Sequence, residues 1–487
     1  MSKELERAQQ ALNEKRAQVN PRYKPARHPS VPAGWLNDPN GFSYYQGRVH
    51  LFYQYHPYDS VWGPMHWGHW VSEDLVNWQE MPVAMAPDTN ADVGGCFSGS
   101  ALVENGELVL IYTGLSPKDE TGRHYQQQCM AVCRDGVHVE KYEHNPIIDR
   151  HHLPEGADPY DFRDPKIQKK DGSYRVVMAN KGETHGQLLA YRSDDLKNWK
   201  FSGVYADQFG GFMAECPEVF EVGGKTAVIV CVMGADQTKY PCRQPVVYMV
   251  GDDVNDRLIT SGDPIVLDWG LDFYAPQVTR LPDGRQIMIG WALSWGHVSP
   301  AHTLGHGWAG TMTMPREMTL DQNGQICQKP VEEWKKLRRN EVCLKDVKVS
   351  EEITLPELAG DKRELALDVD MTSADSFTLR LLKTGDEAFV VSYNKATGLL
   401  RTDRGQCGYP CTENFVPEEK PYGETVVPLV DGHLKLHLFV DVSIVELFAD
   451  EGRKVFTSIV FPKGEEASVS LSAQGEACAA ITSWELA

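Results

Sequence analysis

Three acidic residues in this 487-residue chain stand at comparable places before a glycine turn. Asp38 lies in WLNDPNG, nine residues before Gly47; Asp164 lies in DFRDPK, eight before Gly172; Glu215 lies in AECPEVF, nine before Gly224. Carboxyl groups brought together repel, which raises the pKa of at least one of them. A site of that kind lets one acid donate a proton while another stays ionised, the division of labour that general acid/base chemistry needs. Asp-Pro pairs are also ordinary turn sequences, so the chemistry depends on whether the fold makes the three converge.

The spacing of the turns indicates that it does. Hairpin signals, each a Gly turn followed by a β-rich apolar run, recur at Gly47, Gly106, Gly172, Gly224 and Gly284. SEDLVNWQE at 72–80 is echoed by SDDLKNWKF at 193–201, two such periods later. Units of about 60 residues with many short strands and little helical pattern predict an all-β, five-bladed β-propeller. In a propeller the first strand of every blade lines the central channel, so Asp38, Asp164 and Glu215 would point into one funnel. Ser98, eight before Gly106, and Asp272, twelve before Gly284, occupy the corresponding places in the other two units. Indole, phenyl, amide and hydroxyl groups cluster in WLND, FYQY, VWGPMHWGHW and CFSG, a mixture suited to a ligand with apolar C–H faces and many hydroxyls. Trp67, Trp70 and Trp78 are equally suited to blade core, and Trp78, which belongs to the repeated motif, is assigned there.

Four segments follow: a polar helical extension over 1–29, the propeller over 30–330, a charged linker over 331–345 and a β-sandwich over 346–487. The last assignment rests on period-2 runs such as HLKLHLFVDVSIVELFADEG. The net charge of -20 argues against nucleic acid or an anionic membrane surface as partner, since both require a basic footprint. No stretch has the ~18 apolar residues of a membrane span, and the N-terminus lacks the apolar segment of a secretory signal. Most of the 11 cysteines lie in apolar, strand-like surroundings, which fits reduced thiols and a cytoplasmic location. Metal binding is disfavoured. His66 and His69 face opposite ways on a strand, His302 and His306 share a Gly-rich loop, and Cys129/Cys133 and Cys407/Cys411 lack second pairs.

At its acidic motifs the chain resembles glycoside hydrolase family 32, the family of invertases, sucrose-6-phosphate hydrolases, inulinases and levanases. The resemblance rests on Trp35–Gly41, Phe97–Ala101, Phe162–Lys166, the Glu215–Cys216 pair and the C-terminal DVSIVELFADEG, with Leu36 a mild departure from the Met found in many members. It implies a retaining β-fructofuranosidase acting on sucrose, sucrose 6-phosphate or short fructo-oligosaccharides. Asp38 would be the nucleophile, Glu215 the general acid/base with a pKa raised by its acidic neighbours, and Asp164 with Arg163 the grip on fructose hydroxyls. Trp35, Asn37, Gln54, Trp62, Phe97, Ser98 and Trp291 would complete the subsite. The two reacting carboxyls of a retaining enzyme stand about 5–5.5 Å apart. No cofactor is implied, and the partner is a small carbohydrate. A fructosyltransferase using the same acids, or a carbohydrate-binding propeller without catalysis, remain alternatives. Arg123, Lys181, Lys239 and Arg243 are candidates to meet a substrate phosphate. The sandwich acids Asp441, Glu446 and Asp450 are expected to be structural, and a homodimer through that domain is left open.

Overall fold

The computed structural model describes residues 2–182, 184–236, 238–240 and 244–487; Arg243 lies outside them. Five antiparallel sheets follow one another along the chain, and a further sheet follows them. The innermost strands of blades one to five are Gly34–Tyr45, Cys96–Glu104, Phe162–Lys170, Met213–Val222 and Tyr274–Arg280. After the second strand of blade five the chain returns to blade one, where Trp308 and Ala309 pair in parallel with Gly34 and Trp35. That return joins the last blade to the first. The repeated Asp-Leu-x-x-Trp motif is an Asx turn. Asp74 accepts from the Val76 and Asn77 amides and Asp195 from those of Lys197 and Asn198, bending the chain towards the outermost strand.

Every inner strand breaks its ladder at one depth. The register slips between Leu36 and Pro39, Cys96 and Gly99, Arg163 and Lys166, Glu215 and Glu218, and Tyr274 and Gln277. The local sequence accounts for this: Pro39, Pro165, Pro217 and Pro276 have no N–H to give the ladder, and Gly99 stands at the same place in blade two. The resulting bulges re-aim the preceding side chains. Asp164, Cys216 and Ala275 take positive φ there (60°, 50° and 47°), a conformation that costs a non-glycine residue energy and concentrates at functional sites.

The bulges correct one alignment. The register-equivalent residues are Asp38, Ser98, Asp164, Cys216 and Ala275, so Glu215 stands one residue earlier than the count from the hairpin glycines indicates. Counting residues to a turn fails by one because blade one carries a second irregularity between Asn40 and Ser43. Asp272, three residues before Ala275, is not in the funnel at all.

Residues 338–345, expected in a linker, lie in the strand Arg338–Val349, which pairs with the last strand, Ser468–Leu486. Only Glu332–Leu337 is helical there. The ten-stranded C-terminal sheet system closes on its own apolar core, which includes Leu365, Phe377, Leu438 and Leu471. Phe439, Ile444 and Phe448 instead join the core of blades one and five. The N-terminal helix Lys3–Arg16 is capped by Ser2 and buries Ala8 and Leu12. Beyond it, the amides of Ala26, Arg27 and His28 all donate to Asp441 of the sandwich. The extension therefore bridges both domains.

Candidate active site

Above the bulges the inner strands enclose a cavity of about 300 Å³, walled by Asp38, Asp164 and Glu215. All three residues are buried. Asp38 comes from blade one, Asp164 from blade three and Glu215 from blade four. The bulge turns Asp38 and Asp164 inward, while Glu215 reaches in from the position just before it.

Asp38 is held by short donors. The Ser98 hydroxyl donates to its Oδ2 at 2.6 Å and the Asn37 amide to its Oδ1 at 3.0 Å, and Asn37 is itself fixed by the Trp35 indole N–H at 2.9 Å. Asp164 Oδ2 accepts from the Cys216 amide at 3.0 Å. The Cys216 thiol lies 3.6 Å from both Asp38 and Asp164. Glu215 accepts from Arg163 through Nε at 3.0 Å and Nη2 at 2.7 Å, and from the Tyr274 hydroxyl at 2.6 Å. Arg163 also donates to Asp161 at 2.6 Å and to Gln126 at 3.2 Å.

Burial pushes the Asp38 carboxyl above its ordinary value. The Ser98 and Asn37 bonds oppose that push and the charge of Glu215 adds to it. Asp164 is pushed up to about 7 by burial, against the pull of Arg163 and with the charges of Glu215 and Asp38. Asp161, Asp164 and Glu215 share the one guanidinium of Arg163, while Asp38 is bonded by the neutral donors Ser98, Asn37 and Cys216. Asp164 therefore titrates close to neutral pH, in step with the charges of its acidic neighbours.

Of the residues expected to complete the subsite, Asn37, Gln54, Trp62, Phe97, Ser98 and Arg163 line the cavity. Trp62, 49% exposed, stands at its mouth. Two expectations need correction. Trp291 is fully buried and packs edge-on against Trp35 and Trp295, with ring centres 5.7 and 5.1 Å away, so Trp295 is the indole on the wall. Trp35 stands behind Asn37 and orients it. Sequence reasoning missed Gln126, Asp161, Met233 and Trp295 on the wall, and Tyr274 behind Glu215. Asp161 and Tyr274 had a usable signal, since each adjoins a bulge motif (DFRDP and FYAPQ). Gln126 and Met233 belong to second and third strands, where no repeated motif marks them.

Asp272 points to the sandwich instead. It accepts from Arg404, from the Ile459 amide at 2.9 Å and from His297 at 3.1 Å. Among the described residues no cluster of His, Cys, Asp and Glu suits a metal ion. His69 faces His50 at 3.1 Å, and His66 bonds the Pro64 carbonyl.

The description Glycosyl hydrolases family 32 N-terminal domain matches residues 28–330, and that of the family's C-terminal domain matches 333–485. The chain belongs to glycoside hydrolase family 32. A sucrose-6-phosphate hydrolase of Escherichia coli is 36% identical over 96% of both chains, and a raffinose invertase of Escherichia coli 35% identical over 98% of both. Among solved structures, a sucrose-6-phosphate hydrolase of Lactobacillus gasseri superposes with a TM-score of 0.88 at 30% identity, covering 98% of this chain and 96% of that one. A Bombyx mori GH32 β-fructofuranosidase superposes at 0.85 with 33% identity, over 99% and 97%. A mutant of the silkworm enzyme was solved in complex with sucrose. The family 32 chain is all-β, a five-bladed propeller carrying a C-terminal sandwich, as its sequence predicts.

Proposed function

We propose that this glycoside hydrolase is a retaining β-fructofuranosidase that releases terminal fructose from sucrose and sucrose 6-phosphate. The observation that carries the reading is the cluster of three buried carboxyls at one depth of the channel, under-supplied with positive charge. Asp38 is the nucleophile: Ser98 and Asn37 occupy its oxygens as donors and fix its aim. Glu215 protonates the departing oxygen and then activates water. Arg163 and Tyr274 hold it in place, a larger part for Arg163 than gripping sugar hydroxyls. Asp164, protonated or shared in its proton at neutral pH, takes up fructose hydroxyls and meets the oxocarbenium-like charge. Trp62, Phe97 and Trp295 offer the flat faces against which a sugar packs.

The names of the relatives support both substrates. Four acids at the site disfavour a phosphate dianion unless cations at the rim offset them. Arg123 lies 3.7 Å over the Tyr160 ring, and Lys181 lies over Phe212 beside Met233 of the cavity wall. Neither forms an ion pair among the described residues. Lys239 is exposed. Initial rates on sucrose, sucrose 6-phosphate and kestose, with glucose and fructose quantified separately, test the reading. Equal release of both hexoses from sucrose supports hydrolysis; glucose in large excess over fructose means transfer to sugar, and no release from any of the three overturns it. Seven buried free thiols support a cytoplasmic enzyme. Dimerisation through the sandwich is retained as part of the proposal, to be read from light scattering. Among the described residues no helix is long and apolar enough to cross a membrane.

A further inference from the structure

The bulges that aim the acids also remove ladder hydrogen bonds at the depth where position matters most. Two residues beyond Asp38, Ser98, Asp164, Cys216 and Ala275 stand Asn40, Ser100, Lys166, Glu218 and Gln277, back in the ladder and paired with Phe52, Ile111, Val177, Ile229 and Ile289 of the second strands. These five register-equivalent side chains are polar and largely buried, and each reaches sideways to another blade. Asn40 accepts from the Gly99 amide at 3.2 Å. Ser100 donates to the Pro165 carbonyl at 2.6 Å and accepts from the Ile167 amide at 2.8 Å. Lys166 pairs with Glu218 at 2.6 Å. Glu218 accepts from the Val278 amide at 3.1 Å. Gln277 accepts from the Phe42 amide at 3.0 Å and donates to the Gly99 carbonyl at 2.8 Å. The steps run one to two, two to three, three to four, four to five and five to one, so the ring is closed. A cavity of about 10 Å³ is lined by Ser100, Glu218 and Gln277 of the ring and by Asp38 and Asp164 above it.

We propose that this ring sets the spacing of the channel carboxyls, and that Lys166 and Glu218 are positioning residues for the hydrolysis. Four of the five steps end on backbone. The fifth joins two charged side chains, and it ties blade three, which carries Asp164, to blade four, which carries Glu215. Lys166 follows Asp164 by two residues and Glu218 follows Glu215 by three. Both side chains are nearly closed off from solvent, at 12% and 2% exposure, so removing one partner leaves the other buried without its counter-charge. The blades then part or slip where the acids sit, and a displacement of about 1 Å is worth ~10²-fold in rate.

The inference rests on the β-fructofuranosidase reading, and the test separates the two. Lys166→Met and the milder Glu218→Gln are compared with Arg175→Met. Arg175 makes an equally buried pair with Asp253, at 2.6 Å, that joins the same two blades away from the channel. Kinetics on sucrose and urea unfolding midpoints are measured for each, with rates corrected for the folded fraction. The expected result is a lowered midpoint for both Met variants. A ~10–100-fold fall in kcat with KM within a few-fold is expected for Lys166→Met, a smaller fall for Glu218→Gln, and wild-type kcat for Arg175→Met. If Lys166→Met does not fold, Glu218→Gln decides. Unchanged kcat in the folded channel variants, or an equal fall in Arg175→Met, overturns the positioning role. Absence of fructose release by the wild type would instead overturn the functional reading.

Discussion

Two buried acid clusters in this molecule have opposite electrostatics. In the channel, Asp161, Asp164 and Glu215 share Arg163, Asp38 is bonded by neutral donors, and the carboxyls of Asp38 and Asp164 are pushed upward. At the domain interface, Asp268, Asp272, Asp441 and Glu446 meet Arg316, Arg404 and His28. Burial raises each interface acid too, but for Asp441 the bond and charge of His28 overcome it, for Glu446 Arg316 and His28 do, and for Asp272 Arg404 and His297 do. These three end below their ordinary values, whereas burial keeps Asp268 above its own despite Arg316 and Thr457. Equal burial of the same side chains gives a proton-holding site where cations are scarce and a domain clamp where they are matched. This is why DVSIVELFADEG is a signature without being a second active site: its Asp441 and Glu446 bind the N-terminal segment and blade five.

The contrast is broken most strongly at the channel. Asp38→Asn is expected to cost ~10⁴-fold or more in kcat, the scale of nucleophile removal, with sugar binding still measurable by calorimetry. Glu215→Gln should cost ~10²-fold or more on sucrose but far less on a substrate with an activated leaving group, which departs with little protonation. At the interface the effect moves from rate to stability. Arg316→Met leaves Asp268 buried without its cation and Glu446 with His28 alone, and should lower stability by about 3–5 kcal/mol, with kcat per folded molecule unchanged. A large loss of kcat in folded Arg316→Met would erase the distinction between the clusters.

The smaller effects lie in pH dependence, and their signs follow from linkage. Asp164 holds a proton in the fold up to about pH 7, which an unfolded Asp releases near 4. Its contribution therefore falls as pH rises through that window, and above it the fold carries the cost of a buried charge. Asp164→Asn should raise the Tm at pH 8 relative to wild type and flatten the Tm profile between pH 4 and 7. His28, raised to about 9 by its bonds to Asp441 and Glu446 against the opposing effect of burial, follows the same sign in a higher pH window. Its stabilisation is complete below pH 6.5 and is lost as pH rises through 9. The Tm gap between wild type and His28→Gln should thus be wider at pH 6 than at pH 10, as calorimetric scans would show.

Much of this was legible in the residues. The glycine spacing reveals the propeller, and the Asp-Pro motifs reveal which blades carry acids, because turn chemistry and bulges are local properties. The sequence count misaligned Glu215 because register depends on irregularities elsewhere in the hairpin, as at Asn40–Ser43. Trp291 and Trp295 could not be told apart. They differ only in which side of the blade wall each indole takes, and neighbouring blades settle that. The interface clamp was hidden for a like reason: His28, Arg316 and Glu446 are each 130 or more residues apart and share no motif.

The central claim is that Asp38 attacks fructose directly and Glu215 assists, a double displacement. NMR observation of the first fructose released, before mutarotation, tests it most directly. Two inversions at the anomeric carbon predict β-fructofuranose as the initial product. Initial α-fructofuranose would mean a single displacement by water and would contradict Asp38 as nucleophile.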